Sequence, residues 1–364
     1  MHTPTRSLFL VFLCLLFLST ACADSSSVTP GNKASNSKRL TAIGSFIEYP
    51  LPRKGNGLMR PAIDSKGRLW FGEMSHNVLT MFDPHTQTFV ETSPPRGAYS
   101  IMGITVAHDD TIWFAEQDAN YIGHYVPTTK RFETYSLPTL HIPDPTNAKN
   151  ILALPSAPND IALDAHGDLW FAEMNADSLG MLNTHTGALK QYPLSHTQTV
   201  QTRSPYGITV DTLGMVWFTE ATTRNIGRLD PSTGVIRRFT VANQSAQLME
   251  IASDTYGIVW VTSFSGNLLL RLDPLTGIIT SYTAPSATQG SNGLYGLVVT
   301  SNNDIWVTIP AENAVARFDT TTLRFVYHTI PSPGSFPFGL VTDTQQNIWF
   351  TEAGSDNVGM LAIN

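Results

Sequence analysis

Seven tryptophans recurring along the chain, four strand-like segments around each, and an unpaired strand sequence ahead of the first repeat predict an all-β fold, a seven-bladed β-propeller. The tryptophans are Trp70, Trp113, Trp170, Trp217, Trp260, Trp306 and Trp349, spaced by 43, 57, 47, 43, 46 and 43 residues, and they are every Trp in the 364-residue sequence. A period of this length built from short strands is that of a propeller blade.

Composition sets the limits. Hydrophobic residues make up 42% of the chain and charged residues 14%, against roughly a quarter charged in ordinary soluble domains, so a disordered chain is excluded. A formal charge of -7 with no Lys/Arg-rich run argues against a nucleic-acid partner, because phosphate binding needs a basic surface. Cys14 and Cys22 both precede the repeats, so no disulfide staples the body.

Taken in order, the first element is a leader. Residues Ser7 to Thr20 form an apolar run behind Arg6, of signal-peptide length and short for a membrane span. It ends in Leu18-Ser19-Thr20-Ala21-Cys22, which resembles the bacterial lipobox, so residues 1–21 are expected to be cleaved and Cys22 lipidated. An ordinary secretory cut near Ala21 or Ala23 is the alternative. The first reading places the protein outside the cytoplasm, held to the cell membrane by a lipid anchor only; the second makes it secreted. Residues 22–40, rich in Ser and Asn, read as a flexible tether.

Residues 41–364 read as one propeller domain, expected to be monomeric. Each repeat holds an apolar strand, a polar turn, a second strand carrying the Trp, a turn usually bearing Asn, a third strand such as Asn225–Asp230, and a fourth such as Phe132–Pro138. The Asp230–Gly234 and Asp273–Gly277 turns have the Pro and Gly that a tight hairpin needs. The seventh repeat ends after its third strand, while Phe46–Pro52 reads as a fourth strand with no repeat of its own. That segment is expected to complete the last blade, close the ring and remove its exposed edge. The longest insertion, Thr139–Pro158, accounts for the 57-residue spacing and is long enough to act as a lid.

In such a ring the fourth-to-first and second-to-third connections surround one mouth of the central channel. Eleven positions before each Trp stand Met59, Met102, Asn159, Tyr206, Met249, Tyr295 and Phe338. They suit either a packed plug or an adaptable apolar platform for a ring-shaped ligand. The next position holds Arg60, Gly103, Asp160, Gly207, Glu250, Gly296 and Gly339, so three blades replace a recurring Gly with a charge. Such charges must pair with one another or meet a ligand. Together, Arg60, Asn159, Asp160, Tyr206, Glu250, Tyr295 and Phe338 form the predicted binding set for a small molecule or cyclic peptide.

Three positions after each Trp stand Glu73, Glu116, Glu173, Glu220, Ser263, Ile309 and Glu352. The five Glu form a continuous arc able to offer oxygen ligands to Mg²⁺ or Ca²⁺; the alternative is that each accepts backbone N–H bonds from the adjacent blade. Glu352 with neighbouring Glu73 is the predicted metal pair, with Asn159 and Asp160 as a separate option. Among the histidines, His76, His141 and His196 fall on connections at the mouth.

The phrases Ser204–Val210, Trp217–Glu220, Trp349–Glu352 and Asn225–Asp230 resemble those of the streptogramin B lyases, also called virginiamycin B lyases, across nearly all of residues 45–364. The resemblance implies a Mg²⁺-bearing propeller in which a His removes a proton next to an ester, so that a cyclic depsipeptide opens by elimination while the metal polarises the carbonyl. The family's catalytic His lies in a Glu-Pro-His-Gly phrase, which here is Phe336-Pro337-Phe338-Gly339; its substrate-contacting His corresponds to Tyr295; Glu352 carries over. The expectation is a family fold without the family base, and no catalytic residue is assigned. If the chain is an enzyme, the classes implied are a metal-dependent carbon–oxygen lyase or a lactonase. Pro158-Asn159-Asp160 followed by Asp164 and Gly167 also resembles one blade of the gluconolactonase-like propellers, which are metal-dependent lactonases. A non-catalytic cell-envelope module is the remaining class.

Overall fold

The computed structural model describes residues 40–41, 45–95, 100–144, 147–194, 203–286 and 293–363. The leader, Cys22, the tether up to residue 39 and His196 lie outside the described residues.

Seven antiparallel sheets form the ring; six run in chain order from the channel outward, and the seventh takes its outermost strand from the segment ahead of the first blade. Blades 1 to 7 span residues 58–92, 101–136, 158–193, 205–240, 248–283, 297–329 and 337–362. The ring closes as the sequence requires: Ser45–Pro50 pairs antiparallel with Asn357–Ala362, from Ser45 opposite Ala362 to Pro50 opposite Asn357. Two details depart from expectation. Leu40–Thr41 adds a parallel fifth strand to blade 6, Leu40 opposite Val326 and Thr41 opposite Tyr327, where the sequence predicts no strand. The insertion folds as its own hairpin, Thr139–Asp144 against Asn147–Pro155.

The second strand of every blade is buried at all five positions, because each sheet is covered on both faces by its neighbours. An aspartate six residues earlier secures the repeated Trp in five blades. The indole N–H donates to Asp64 at 2.9 Å, Asp164 at 3.0 Å, Asp211 at 2.8 Å, Asp254 at 3.0 Å and Asp343 at 2.9 Å. The same carboxylates also accept backbone N–H groups of the adjoining turn, as Asp164 does from His166 and Asp168. A large buried indole thus keeps its one polar atom satisfied. Asp164 accordingly serves the blade, spending its oxygens on Trp170 and the turn.

Candidate functional site

Six of the seven innermost strands carry a register shift near their start, for example between Leu58 and Pro61 and between Pro337 and Leu340. The two residues inside each shift are those found eleven and ten positions before the Trp. A bulge frees their backbone from the sheet and turns their side chains into the channel. In blades 4 to 7 the freed groups are taken up by a threonine two residues past the Trp. Thr262 Oγ1 accepts the Glu250 N–H at 3.1 Å and donates to the Tyr295 carbonyl of the next blade at 2.6 Å. Thr219 bridges Gly207 N–H to Met249 O, and Thr308 bridges Gly296 N–H to Phe338 O.

At the first level Met59, Met102, Tyr206, Met249, Tyr295 and Phe338 are buried in one cluster with Ala157, Met174, Ala221 and Phe264. The Phe338 and Tyr295 ring centroids lie 4.0 Å apart, and Tyr206 and Phe264 meet Tyr295 edge-on. The Tyr206 and Tyr295 hydroxyls are hydrogen-bonded to each other. Asn159, fully buried, donates to the Tyr206 carbonyl at 3.0 Å. Of the two sequence readings, the packed plug describes these residues. Met74, Phe336 and Ala353, only partly buried, lie against it.

At the second level the three charges meet. Arg60 Nε donates to Glu250 Oε1 at 2.7 Å, its Nη2 also bonds that oxygen, and Asp160 Oδ1 lies 3.9 Å from Nε. Asp160 Oδ2 accepts the Ile208 N–H at 2.9 Å, and the guanidinium carbon sits 5.3 Å from the Tyr206 ring centre. The intervening glycines make room. A Cβ on Gly103 would come within 2.5 Å of the Asn159 carbonyl, and one on Gly339 within 2.7 Å of the Arg60 Cα. Neighbouring inner strands therefore approach too closely for a side chain in every blade.

Burial pushes the Glu250 carboxyl up to about 7, although Arg60 pulls it down. Burial raises Asp160 in the same way. Burial would by itself lower Arg60, but the facing Glu250 and Asp160 outweigh it and hold the guanidinium charged. Tyr206 and Tyr295 are both raised by burial, so neither hydroxyl is prepared to act as a base. Arg60 Nη1 is buried without a hydrogen-bond partner.

The five glutamates stay apart, each fully buried within its own blade. Their partners are mostly side chains rather than backbone N–H groups. Glu73 bonds Arg53 at 2.8 Å and Thr80; Glu173 accepts from Gln191 at 2.8 Å; Glu352 accepts from Ser355 at 2.6 Å and Asn357 at 3.0 Å. Glu220 gathers Arg238, Asn225, Thr223 and Arg203, and these bonds outweigh burial and lower its pKa. Burial pushes Glu116 up to about 9 and Glu352 up to about 7. Among the described residues no three His, Cys, Asp or Glu side chains come together as a metal site. Glu73 bonds protein partners through both oxygens, whereas Glu352 does so through Oε2 and leaves Oε1 buried without a hydrogen-bond partner.

His76 lies 3.7 Å from Glu73 and is half-buried, and His141 is exposed on the inserted hairpin. His124 stacks on Trp113 with centroids 4.1 Å apart, where burial lowers its pKa. Sequence reasoning passed over Arg53, which links Glu73 to Glu91 at 3.1 Å, and the bridging threonines. Aligning the blades on their Trp would have exposed the threonines, present only in blades 4 to 7.

Comparison with known proteins agrees with the architecture. The ring superposes on the selenomethionine-substituted virginiamycin B lyase of Staphylococcus aureus with a TM-score of 0.76, at 24% identity over 88% of this chain and 99% of that one. A catalytically inactive histidine-to-alanine variant of that lyase, crystallised with quinupristin, gives the same TM-score, identity and coverage of both chains. The extracellular domain of a protein described as a hybrid two-component system of Bacteroides thetaiotaomicron follows at TM-score 0.66 and 17% identity, covering 88% of this chain and 40% of that one. At these identities the likeness is one of fold. No curated protein matches the sequence. The virginiamycin B lyase family profile, however, matches residues 144–364, and the chain belongs to that family.

Proposed function

We propose that this chain is an extracytoplasmic, lipid-anchored propeller that binds a small or cyclic ligand over the channel mouth without performing the family's elimination. The observation that carries the reading is Phe338. By the sequence resemblance Phe338 corresponds to the family base, and its buried phenyl ring, with its centroid 4.0 Å from that of Tyr295, has no proton to exchange. The plug forms a packed floor, and the partly exposed Met74, Phe336 and Ala353 packed against it offer an apolar contact surface. The leader-like Ser7–Thr20 and the lipobox-like Leu18–Cys22 support the location, as does the likeness to an extracellular domain.

The test is to incubate the purified protein with a streptogramin B-type cyclic depsipeptide, following heat of binding by calorimetry and products by chromatography with mass spectrometry. Binding heat without product is expected. A ring-opened isomer of unchanged mass would refute the loss of elimination, and a product heavier by one water would indicate lactonase chemistry. Neither heat nor product would turn the reading toward a cell-envelope interaction module.

A further inference from the structure

The face opposite the mouth is built from the first-to-second and third-to-fourth strand turns, and its polarity differs from blade to blade. Six of the large apolar side chains exposed in the described structure stand on it in one sector. They are Leu213 and Val235 of blade 4, Tyr256, Leu275 and Ile278 of blade 5, and Leu323 of blade 6. Leu275 is 96% exposed, and Leu213 and Tyr256 are 81% exposed. The equivalent turns of blades 1 to 3 carry Lys66, His85, Asp109, Lys130, His166 and His185. Soluble proteins rarely gather exposed apolar residues into one sector without a use for it.

A second pattern marks the same three blades. Eleven residues past the Trp, on the third strand close to this face, blades 4, 5 and 6 carry Arg228, Arg271 and Arg317, where blades 1, 3 and 7 carry Met and blade 2 carries His124. Arg237 and Arg324 add two exposed cations. The same turns also carry Asp211, Asp230, Asp254, Asp273, Asp304 and Asp319, so the arginines stand in a surface of mixed charge. Asp230, Asp273 and Asp319 each accept backbone N–H groups of their own turn at 2.8–2.9 Å, and Asp304 pairs with Arg317 at 3.3 Å.

The third observation is where the chain enters. Leu40 lies opposite Val326, and the pairing is parallel to Arg324–Thr329, which leaves the turn at Leu323 and runs toward the mouth. The chain therefore reaches the propeller from the turn face, at blade 6. Only 17 residues, 23–39, separate Leu40 from Cys22, a span of at most ~60 Å when fully extended.

We infer that the turn face of blades 4 to 6 is a membrane-docking surface: its apolar hairpin tips enter the interfacial layer of a phospholipid bilayer, the exposed Arg237 and Arg324 meet lipid phosphates, and the mouth faces away. The orientation rests on the anchored reading above. Separate projecting apolar tips with arginines beside them suit a fluid phospholipid surface better than a rigid protein groove.

The experiment uses the full chain extracted from a bacterial envelope and reconstituted into vesicles of phosphatidylcholine and phosphatidylglycerol. The body has no cysteine, so Leu275→Cys places one environment-sensitive fluorophore on the docking face, and Ala242→Cys places one on a mouth connection. The label at 275 should shift to the blue and be quenched by brominated lipid, and the label at 242 should do neither. A Cys22→Ser chain added from solution should still partition onto these vesicles, and Leu275→Asp with Tyr256→Asp should weaken that partition about tenfold at unchanged melting temperature. Equal solvation of the two labels, or a partition indifferent to the aspartates, overturns the inference. So does a dimer in light scattering that the aspartates dissolve while both labels stay wet. Palmitate incorporation at Cys22 reports the anchor alone. Its absence with surviving partition removes the anchor and leaves the face, and its presence with two solvated labels does the reverse.

Discussion

Replacing Arg60 by methionine takes a cation away from two carboxylates that remain in place. Glu250 and Asp160 are 8% and 7% exposed, and Arg60 faces both. Breaking a buried pair by removing one partner costs about 3–5 kcal/mol, much of it the desolvation of the group left behind. The loss must depend on pH. Glu250 holds its proton up to about 7 in the folded protein against an ordinary 4.5, so folding binds a proton over that window. Stability accordingly falls as pH rises from 4.5 through 7 and levels off above. Without Arg60 both carboxyls lose the charge that pulls them down, so the fall becomes steeper and extends to higher pH. Urea melts followed by tryptophan fluorescence should show Arg60→Met weakened by several kcal/mol at neutral pH, with most of the deficit gone below about pH 5. Adding Glu250→Met should recover much of the neutral-pH loss, because an apolar replacement of the pair leaves less buried charge without a counterion. A variant within about 0.5 kcal/mol of the parent at neutral pH, or a deficit that ignores pH, would refute the description of the triad as a buried ionic clamp.

Two further outcomes follow from the blades. Glu116, pushed by burial up to about 9, stays protonated at neutral pH, so the folded state loses stability as pH climbs from 4.5 toward 9; Glu116→Gln lacks this slope, and thermal melts should favour the variant increasingly from pH 5 to pH 9, by at most about 1.4 kcal/mol per unit. Asp211→Ala strips Trp217 of its 2.8 Å partner and leaves the Leu213 and Met215 N–H groups without theirs, for an expected loss of about 1–3 kcal/mol in a denaturant melt, with the ring intact by circular dichroism.

The ring was legible because each blade repeats one packing problem. A Trp between two sheets, a tight Asp-Pro turn and a four-strand period recur often enough that seven copies outweigh any single ambiguity. Leu40–Thr41 was not legible, since two residues carry no period and their pairing depends on an edge some 286 positions away. At the site, alignment on the Trp singled out Arg60, Asp160 and Glu250 as departures, and these three meet. It did not say whether Met and aromatic side chains eleven positions before each Trp would line a mouth or fill it. That outcome depends on channel width, set by how closely Gly103 and Gly339 let their neighbours approach. The partners of the glutamate arc were not legible for a related reason. Recurrence at one position of every blade places equivalent groups on a circle, and their distance from one another grows with the radius at which they stand.

The closing strand also carries a consequence for biogenesis. Ser45–Pro50 precedes the first blade's own strands and its partner Asn357–Ala362 follows six blades later, and the seam is reinforced by the Asn56 N–H donating to Asp356 across 300 residues of sequence. Joining segments that far apart costs about 5 kcal/mol of loop entropy, so the ring cannot close until both strands of the seam have been made. Until then blade 7 lacks its outer strand, and the nascent chain exposes both halves of an unmet sheet edge, a state prone to pairing with other chains. Slow, late closure of this kind gives a chaperone a defined interval in which to act, and makes the outer strand pair of blade 7 the place where premature termination would be most damaging.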